Sequence, residues 1–590
     1  MKTTVFSQNN LGQASSPYLR QHKDNPIHWQ EWNPETLDYA KKSGKLIFVS
    51  VGYATCHWCH VMAHETFSDP EVAADLNRYC VSIKVDREQR PDIDQYLMSF
   101  LTSLQGQGGW PINVFLTPDL RPVYALTYAP PGPAHGSPGF LSVLKQVQEF
   151  YEKNRDPFDD FTAPAAVFTA RRENELSARL REGFDPQFGG YGQGQKFPSF
   201  CTLLFMLAYG QTVHDKELLQ MCEQTLDRIS RGGLHDHLQG GFFRYCVDRE
   251  WTLPHFEKML YDQALALWTY ALAFRVLGKP VYRKIAEKTL RCLDETFADN
   301  GLYVSAHDAD TGHEEGATYL WTEKDLRTLL TPEEFERFCS CYQVSAGGNF
   351  EGKNHLLKKG EASADGIEEK LLAERKKRKQ PETDPKAITS WNALTGIALV
   401  HAYRLLGIKD CLTKAEGIAR GLLDRNFREG RLAHSSCGGA VQKEEFLQDV
   451  SGLLLLLTYL QEEKRTYTDE IQTFCQKLSG FKRGKQWIEG RSEDFKEVAA
   501  EMLDQPLPSG ASMAECALVR AGILRSEEIL PGDFKEPRWN DFFNLSVLIR
   551  NGFFHIITTP ERLPWETLPV LSIQIEGGTF SDCFQGTCHT

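Results

Sequence analysis

The chain has 590 residues, of which 41% are apolar and 25% are charged. This length and composition predict about two to four folded domains, and they exclude a short peptide, a collagen-like or mucin-like repeat and a wholly disordered protein. The formal net charge is -13, from 66 basic and 79 acidic residues. Because polyanions are bound mainly through Lys and Arg, we expect neither a nucleic acid nor an anionic membrane surface as a partner.

The first ten residues contain no apolar signal segment. The most apolar run, Leu453–Leu457, is far shorter than the ~20 residues that a bilayer requires, so we expect a cytoplasmic protein. Fifteen cysteines are spread thinly along the chain, which indicates buried thiols rather than a secreted disulfide framework. Only Cys56/Cys59 and Cys583/Cys588 are spaced closely enough to suggest thiol chemistry.

The first part of the chain alternates short β-branched runs with helical segments. Strands are predicted over 45–52, 81–85 and 112–117, and helices over 70–78 and 92–104. This alternation predicts an α/β layer fold. A stretch rich in Pro, Asp and Ala over 156–172 indicates a boundary between a first domain, 1–165, and a second domain, 173–590.

The second domain is predicted to be all-α. Amphipathic helices are expected near 200–213, 216–231, 256–277, 280–297, 388–407, 411–426, 444–461, 466–480, 512–525 and 537–550. Such consecutive pairs predict helical hairpins arranged as a toroid, with an open bundle as the alternative. Two extended runs within 301–322 predict an inserted β-hairpin, and a strand is expected at 571–575 before a C-terminal tail.

The motif Cys56-His57-Trp58-Cys59 is placed where a strand passes into a helix. A thiol at a helix N-terminus is stabilised as the thiolate by unpaired N–H groups and the helix dipole. Cys56 is therefore the predicted nucleophile, and Cys59, one turn later, is placed to resolve a mixed disulfide. Between them, a protonated His57 would favour the thiolate further.

Trp110-Pro111 precedes the third strand, and Pro111 is a candidate cis-proline beside the cysteine pair. Two other interpretations compete with redox chemistry. Cys56-x-x-Cys59-His60 satisfies the pattern for c-type haem attachment, but no export signal accompanies it. A structural zinc would need a second Cys or His pair nearby. Two cysteines with no redox role are the remaining alternative.

Several long motifs make the chain recognisable. They are NPIHWQEW, GYATCHWCHVMAHETFSDPEVA, VSIKVDREQRPDID, GGWPINVFLTP, GGLHDHLQGGFFRYCVDREWTLPHFEKMLYD, SAHDADTGHEEGATYLWT, GNFEGKN and ITSWNAL. Together they resemble the spermatogenesis-associated protein 20 family over nearly the whole chain. The resemblance implies a thioredoxin-like domain fused to an (α/α)6 barrel similar to those of N-acylglucosamine 2-epimerases and six-hairpin glycosidases. The sequence departs from the family pattern at 194–198, 448–451 and 508–512, where polar or acidic groups are lost.

Polar residues that can serve sugar chemistry are dense in the barrel. Paired carboxylates suit a glycosidic bond, and a His or carboxylate base suits proton abstraction beside a carbonyl. A helix starting near His255 would place His255, Lys258 and Asp262 on one face. The candidate barrel-site residues are His235, Asp236, His237, Arg244, Asp248, His255, Glu257, Lys258, Asp262, Asp308, Asp310, Glu315, Trp391 and Asn392. His235 and His237 lack a third ligand, so no metal is expected.

Three functional hypotheses follow. The favoured one is a thiol-disulfide oxidoreductase that uses Cys56 and Cys59, supported by His57, Trp58, His60, Trp110 and Pro111. The second is a carbohydrate epimerase or isomerase in the barrel, and the third is a binding protein without turnover. The expected partner is a protein thiol or a small molecule, carbohydrate being one class. No cofactor is expected, because neither a Walker loop nor a Rossmann fingerprint is present.

Overall fold

The computed structural model describes residues 5–134, 136, 138–154, 158–162, 170–360, 362–490, 492–577 and 579–589. Part of the predicted boundary at 156–172 and the first four residues of the segment searched for a signal lie outside these ranges. Among the described residues, no helix combines the length and the apolar character needed to cross a membrane.

The N-terminal domain is built on one five-stranded sheet. Its strands are β1 Gln30–Glu31, β2 Leu46–Gly52, β3 Cys80–Asp86, β4 Ile112–Leu116 and β5 Pro122–Leu126. They are ordered β1-β3-β2-β4-β5, with β1, β3 and β2 parallel and β4 antiparallel to both neighbours. Every residue of β2 and β3 is buried, as expected for strands covered on both faces. The three predicted strands and the thioredoxin-like fold are confirmed.

Helices cover the sheet and then form the second domain. Those of the N-terminal domain are α1 Pro17–Gln21, α2 Pro34–Ser43, α3 His57–His64, α4 Pro70–Tyr79, α5 Pro91–Gln105 and α6 Phe140–Lys153. Those of the second domain are α7 Glu173–Arg181, α8 Phe200–Thr212, α9 Lys216–Arg231, α10 Leu260–Leu277, α11 Pro280–Cys292, α12 Glu323–Leu329, α13 Pro332–Cys341, α14 Asp365–Arg375, α15 Thr389–Leu406, α16 Asp410–Gly421, α17 Leu447–Lys464, α18 Thr468–Ser479, α19 Gly510–Leu524 and α20 Asp541–Arg550.

Six of these helices form a closed inner ring. Helix α8 packs on α10, and the contacts continue through α15, α17, α19 and α20 back to α8. The inner helices are buried on nearly all sides, because each has ring neighbours on both sides and an outer layer behind it. Helices α9, α11, α16 and α18 pack outside them. The (α/α)6 barrel is therefore confirmed, and the open bundle is not formed.

Short strands connect the helices at the barrel ends. They are Tyr245–Cys246, Pro254–His255, Lys258–Met259, Ala298–Asp299, Leu302–Tyr303, Ala306–His307, Thr383–Asp384, Ala387–Ile388, Phe427–Arg428, Arg431–Leu432, Ser435–Cys437, Ala440–Val441, Lys482–Arg483 and Gln486–Trp487. The hairpin predicted over 301–322 is wrong in its pairing. Ala306–His307 pairs with the distant segments Lys258–Met259 and Thr383–Asp384, and Leu302–Tyr303 pairs with Ala298–Asp299.

A small sheet closes the far end of the barrel. It consists of His555–Thr559, Ser572–Glu576, Ser581–Phe584 and Thr587–His589, and it confirms the strand predicted at 571–575. Cys583 and Cys588 form a disulfide between its last two strands. The backbone N–H of Gln574 donates to Glu462, near the C-terminal end of α17. This sheet is therefore about 27 Å, the length of α17, from the barrel end that meets the N-terminal domain.

A buried ion cluster joins the two domains. The Lys386 ammonium of the barrel lies 2.6 Å from Asp86 and 3.0 Å from Glu88 of the N-terminal domain, and 3.0 Å from Asp384 of its own domain. All four side chains are buried. Burial of ions is costly unless they are paired, so this arrangement specifies one docking geometry.

An apolar contact completes the docking. Phe495 and Val498 of the barrel domain belong to the hydrophobic cluster on one face of the N-terminal sheet, where Phe495 packs edge-on against Trp32 and Tyr96. Beside them, Arg90 pairs with Asp494 at 2.9 Å. The two domains thus share part of one core.

We expect Lys386→Met to weaken domain docking strongly. The substitution leaves three carboxylates buried without their cation, a change that typically costs about 3–5 kcal/mol. The urea midpoint of the full chain should fall accordingly. Arg483→Met is the matched control, because it breaks the exposed pair with Glu497 and should cost less than about 1 kcal/mol. Equal midpoints for the two variants would contradict this role of Lys386.

Candidate active site between the two domains

The predicted redox pair lies just after strand β2. Cys56 is the N-cap of α3, and its Sγ accepts a hydrogen bond from the Cys59 backbone N–H at 3.2 Å. The two residues form a disulfide, and their Cα atoms are 5.2 Å apart. In the reduced protein, the N–H groups and dipole of α3 would favour the thiolate of Cys56. The predicted position at a strand-to-helix junction is confirmed.

Both sulfurs are nearly inaccessible in this arrangement. Cys56 is 3% exposed and Cys59 is 1% exposed, whereas the intervening Trp58 is 48% exposed. A Cβ atom at Gly52 would lie 2.7 Å from the Cys59 Sγ and 2.3 Å from the Tyr18 hydroxyl, so only glycine fits there. Thiol exchange favours a solvent-exposed sulfur, whereas Cys56 is buried here. A substrate would reach Cys56 only after neighbouring side chains move.

The Trp110–Pro111 peptide bond is cis, as predicted. The Trp110 ring packs edge-on against Tyr53, with centroids 6.0 Å apart, and the Arg87 guanidinium lies 3.9 Å above it. Its indole N–H donates to Asp94 at 2.7 Å. These contacts fix Trp110 beside Tyr53, which itself contacts the barrel.

Two histidines of α3 face two aspartates of the barrel loop 307–315. His57 Nδ1 donates to Asp310 Oδ1 at 3.0 Å. His60 lies 3.7 Å from the carboxylates of both Asp308 and Asp310, and its Nε2 donates to the Ala54 carbonyl at 2.7 Å. The redox motif and the predicted barrel site therefore meet at one interface.

These contacts shift pKa values on both sides of the interface. Burial lowers the pKa of His60, but the hydrogen bond with Asp310 and the charge of Asp308 outweigh it and raise the pKa to about 9. Burial raises the pKa of Asp308 to about 7. Burial would also raise the pKa of Asp310, yet its histidine partners hold it well below the usual range. The shifts reflect a concentration of facing charges in a partly dry contact.

A second polar contact lies next to the first. The Tyr53 hydroxyl donates to Glu257 Oε1 at 3.1 Å and also contacts Arg244, which lies 3.3 Å from the same carboxylate. His255 Nδ1 lies 3.3 Å from Glu315. Four of the predicted barrel residues, Arg244, His255, Glu257 and Glu315, thus lie at the mouth covered by the N-terminal domain.

Other predicted residues lie together in a buried cluster of ion pairs and hydrogen bonds. Asp236 is buried and binds Lys258 at 2.7 Å and Arg375 at 2.8 and 2.9 Å. His235 and His237 hydrogen-bond to each other through their Nδ1 atoms at 3.2 Å, and burial lowers the pKa of both. These contacts keep the segment 235–237 buried.

The prediction that His255, Lys258 and Asp262 share a helical face is wrong. Helix α10 begins at Leu260, because residues 254–255 and 258–259 form short strands with distant partners. His255 therefore faces Glu315 while Lys258 turns to the buried Asp236. Asp262 alone lies on α10, where burial raises its pKa well above the usual range.

The remaining candidates are not brought to the interface contacts. The Asp248 carboxylate accepts hydrogen bonds from its own exposed turn, including the Thr252 backbone N–H at 2.9 Å. Asn392 is fully buried and bonds both backbone groups of Tyr303. Trp391 packs edge-on against Tyr261, with centroids 4.8 Å apart, and is 6% exposed.

Sequence reasoning missed a set of buried acids at the same end of the barrel. His434 Nδ1 lies 2.7 Å from Asp449 Oδ2, and burial together with the charge of Asp449 raises the pKa of Glu489 to about 8. Burial also raises the pKa of Asp504 to about 6 and of Asp541 to about 7. Two of these acids could have been found from their position in the sequence, because Asp449 and Asp541 lie in the first turn of inner helices.

Comparison with known proteins places this arrangement in context. A family model named Thioredox_DsbH, described as a protein of unknown function, DUF255, matches residues 8–167. An uncharacterized protein of Caenorhabditis elegans, B0495.5, is 31% identical over 98% of this chain and 88% of its own length. Spermatogenesis-associated protein 20 of Rattus norvegicus is 34% identical over 77% of this chain and 67% of its own. Among solved structures, cellobiose 2-epimerase from Spirochaeta thermophila aligns with a TM-score of 0.43 and 12% identity, over 64% of this chain and 96% of that one.

We expect Glu489→Gln to change how stability depends on pH. The folded state keeps the carboxyl protonated up to about pH 8, whereas the unfolded chain ionises it near 4.5. Stability of the wild type should therefore fall as pH rises between these values. Calorimetry should show a Tm advantage of Glu489→Gln that grows from pH 5 to pH 8, reaching several degrees, and then levels off. The exposed Glu497→Gln is the control, and parallel pH curves for wild type and Glu489→Gln would refute the assignment.

Proposed function

The chain belongs to the spermatogenesis-associated protein 20 family, and we propose that it is a thiol-disulfide oxidoreductase acting through Cys56 and Cys59. The observation that carries the proposal is the position of Cys56 as the N-cap of α3, with Cys59 one turn later. This position stabilises a thiolate at one sulfur and keeps a second sulfur within reach of it.

The proposed reaction begins with the reduced pair. The Cys56 thiolate attacks one sulfur of a substrate disulfide, so that a Cys56–substrate disulfide forms and the other substrate sulfur leaves as a thiolate. Cys59 loses its proton and attacks Cys56, which releases the second substrate thiolate and leaves the Cys56–Cys59 disulfide. A dithiol reductant then restores the reduced pair by the same exchange. Two electrons pass from protein to substrate in each cycle.

The barrel would act as a gate and a selector for this chemistry. Cys56 is buried. His57 and Tyr53 are hydrogen-bonded to the barrel across the domain interface, and Trp58 follows His57 in the chain. A substrate must therefore enter from the side of the exposed Trp58 ring, against Tyr128, whose ring centroid lies 5.1 Å away. This geometry favours a small disulfide, or a disulfide in an extended segment, over a disulfide on a bulky folded surface.

A trapping experiment tests the redox proposal. The variant Cys59→Ser should accumulate mixed disulfides through Cys56 when the protein is incubated with oxidised substrates, because the resolving sulfur is gone. Cys56→Ser should trap none. Intact-mass spectrometry under non-reducing conditions measures the adducts.

The control for trapping is Cys80→Ser, which retains the redox pair. Cys80 lies in the same domain but is buried, and burial raises the pKa of its thiol to about 12, so it should not exchange. Cys80→Ser should behave as wild type. Failure of Cys59→Ser to form any adduct, together with no reversible oxidation of the wild-type pair, would refute the proposal.

A second function, sugar epimerisation or isomerisation, is favoured by one observation. Glu489 is a buried carboxyl with a pKa raised to about 8, beside the Asp449–His434 pair at the barrel mouth. A carboxyl that exchanges its proton near neutral pH is suited to proton transfer beside a carbonyl. Under this hypothesis, the N-terminal domain would cover a sugar site.

Deuterium exchange separates this second function from the first. Wild-type protein incubated with reducing sugars in D2O should place deuterium at C2, detected by NMR. Glu489→Gln should slow the exchange by about 10²–10⁴-fold, whereas the exposed Glu497→Gln should not. Absence of exchange with a panel of aldoses and ketoses would exclude the sugar reaction and leave the thiol reaction untouched.

A further inference from the structure

A cavity of about 210 Å³ lies between α3 and the barrel loop 307–315, next to but distinct from the cysteine pair. Its wall includes His60 and His64 of the N-terminal domain and Asp308, Asp310 and His313 of the barrel domain. The His64 and His313 rings meet edge-on, with centroids 5.0 Å apart. Imidazole and carboxylate groups from two domains therefore line one partly open space.

Three of these side chains have the spacing of metal ligands. His60, Asp308 and Asp310 each offer one donor atom, and these atoms all lie within 4.8 Å of one another. In a tetrahedral site with bonds near 2.0–2.1 Å, neighbouring ligand atoms are about 3.4 Å apart. The observed 3.7 Å between His60 Nδ1 and Asp310 Oδ2 needs only a small contraction to match.

The surrounding hydrogen bonds orient all three groups. His60 Nε2 donates to the Ala54 carbonyl at 2.7 Å, which leaves Nδ1, the ring nitrogen that faces Asp310, as the atom that would lose its proton to bind a metal ion, while Asp308 Oδ2 lies 3.7 Å from Nε2. His57 Nδ1 donates to Asp310 Oδ1, and the Asp310 backbone N–H donates to Asp308 Oδ1 at 3.0 Å. Metal-binding histidines and carboxylates usually have such outer partners. Asp308 Oδ2 and Asp310 Oδ2 each lie 3.7 Å from a His60 ring nitrogen, and Asp310 Oδ2 also lies 3.2 Å from His57 Nδ1.

We propose that His60, Asp308 and Asp310 form a binding site for a divalent first-row metal ion, with Zn²⁺ as the best fit. One imidazole and two carboxylates suit Zn²⁺ in donor type, and its charge balances the two carboxylates. The fourth position would open to the cavity, where an exchangeable water can serve. His57 is a positioning residue, since it acts on the metal through Asp310.

The site would couple metal binding to the closure of the two domains. His60 lies on α3, about one turn after Cys56 and directly after Cys59. Asp308 and Asp310 belong to the barrel domain. An ion held by all three would fasten the contact that covers Cys56. Metal binding should therefore raise the stability of the docked chain by mass action.

Metal titration of the full chain tests the site. The experiment uses Cys56→Ser/Cys59→Ser protein, stripped with a chelator, so that the thiols of the redox motif cannot bind the ion. Calorimetry should show uptake of one equivalent of Zn²⁺, and Co²⁺ should give a visible spectrum with nitrogen and oxygen ligands and no sulfur charge-transfer band. If the protein takes up neither ion, the proposal is overturned, and no site variant is needed for that conclusion.

Variants then locate the bound ion. His60→Gln and Asp308→Asn should each abolish the one-equivalent uptake, and His57→Gln should weaken it by roughly 10–100-fold. The matched control is His555→Gln, which removes a His–Asp pair of similar geometry, 3.0 Å from Asp582, that has no third donor in the described residues. It should leave the uptake unchanged.

Protein stability provides an independent readout. Zn²⁺ should raise the Tm of the double-serine protein but not that of the same protein carrying Asp308→Asn, with folding of each checked by circular dichroism. If Asp308→Asn fails to fold, His60→Gln makes the same test from the other domain. Undiminished uptake in both of these variants would place the ion elsewhere and overturn the proposal. Because Cys56 and Cys59 are replaced in all the protein used for this test, failure of the metal site leaves the thiol-exchange proposal standing.

Discussion

The structure depends on one buried cation between two domains. Lys386 is buried, and its charge is paired with Asp384 of its own domain and with Asp86 and Glu88 of the N-terminal domain. A rotation that kept these groups buried but moved them apart would leave buried charges without partners, which is costly. The cluster therefore sets the register of the interface. Every contact of α3 with the barrel loop 307–315 follows from that register.

The docking explains why the cysteine pair is buried. In a free thioredoxin-like domain, the turn before α3 would face solvent, but here Tyr53 and His57 are bonded to Glu257 and Asp310 of the barrel. The same contacts give the barrel a direct connection to the reactive turn. A ligand that alters the barrel loop would change the environment of Cys56 without touching it. Access and reactivity would then be controlled together, which separate domains could not achieve.

Local features were predictable from the sequence, whereas distant pairings were not. Strand β2, the position of Cys56 before a helix and the cis bond before Pro111 all follow from residues adjacent in sequence. The dense region His235–His237 misled because the main partner of its central aspartate, Arg375, lies 139 residues further along the chain. Nothing in a local pattern distinguishes a buried structural ion pair from a catalytic one.

The pairing of short strands shows the same limit. Ala306–His307 was expected to pair within 301–322, but two residues carry too little pattern to specify a partner, and the fold brings Lys258 and Thr383 instead. The toroid itself was predictable, because its helices are long and their apolar periodicity accumulates over many residues. The meeting of His60 with Asp308 is the product of domain docking, which no periodicity encodes.

The dipoles of several helices act on the same charged groups at the domain interface. The N-terminus of α3 meets the barrel end at which the inner helices α10, α15 and α17 also begin. Several positive dipole ends therefore converge on one layer, where they oppose the cost that burial imposes on negative groups. Asp310, Glu257 and Asp449 occupy that layer, as would a thiolate at Cys56. The same electrostatic field would thus act on the carboxylates and on a Cys56 thiolate. A cation added to this layer would favour both the docked arrangement of the two domains and the anionic sulfur.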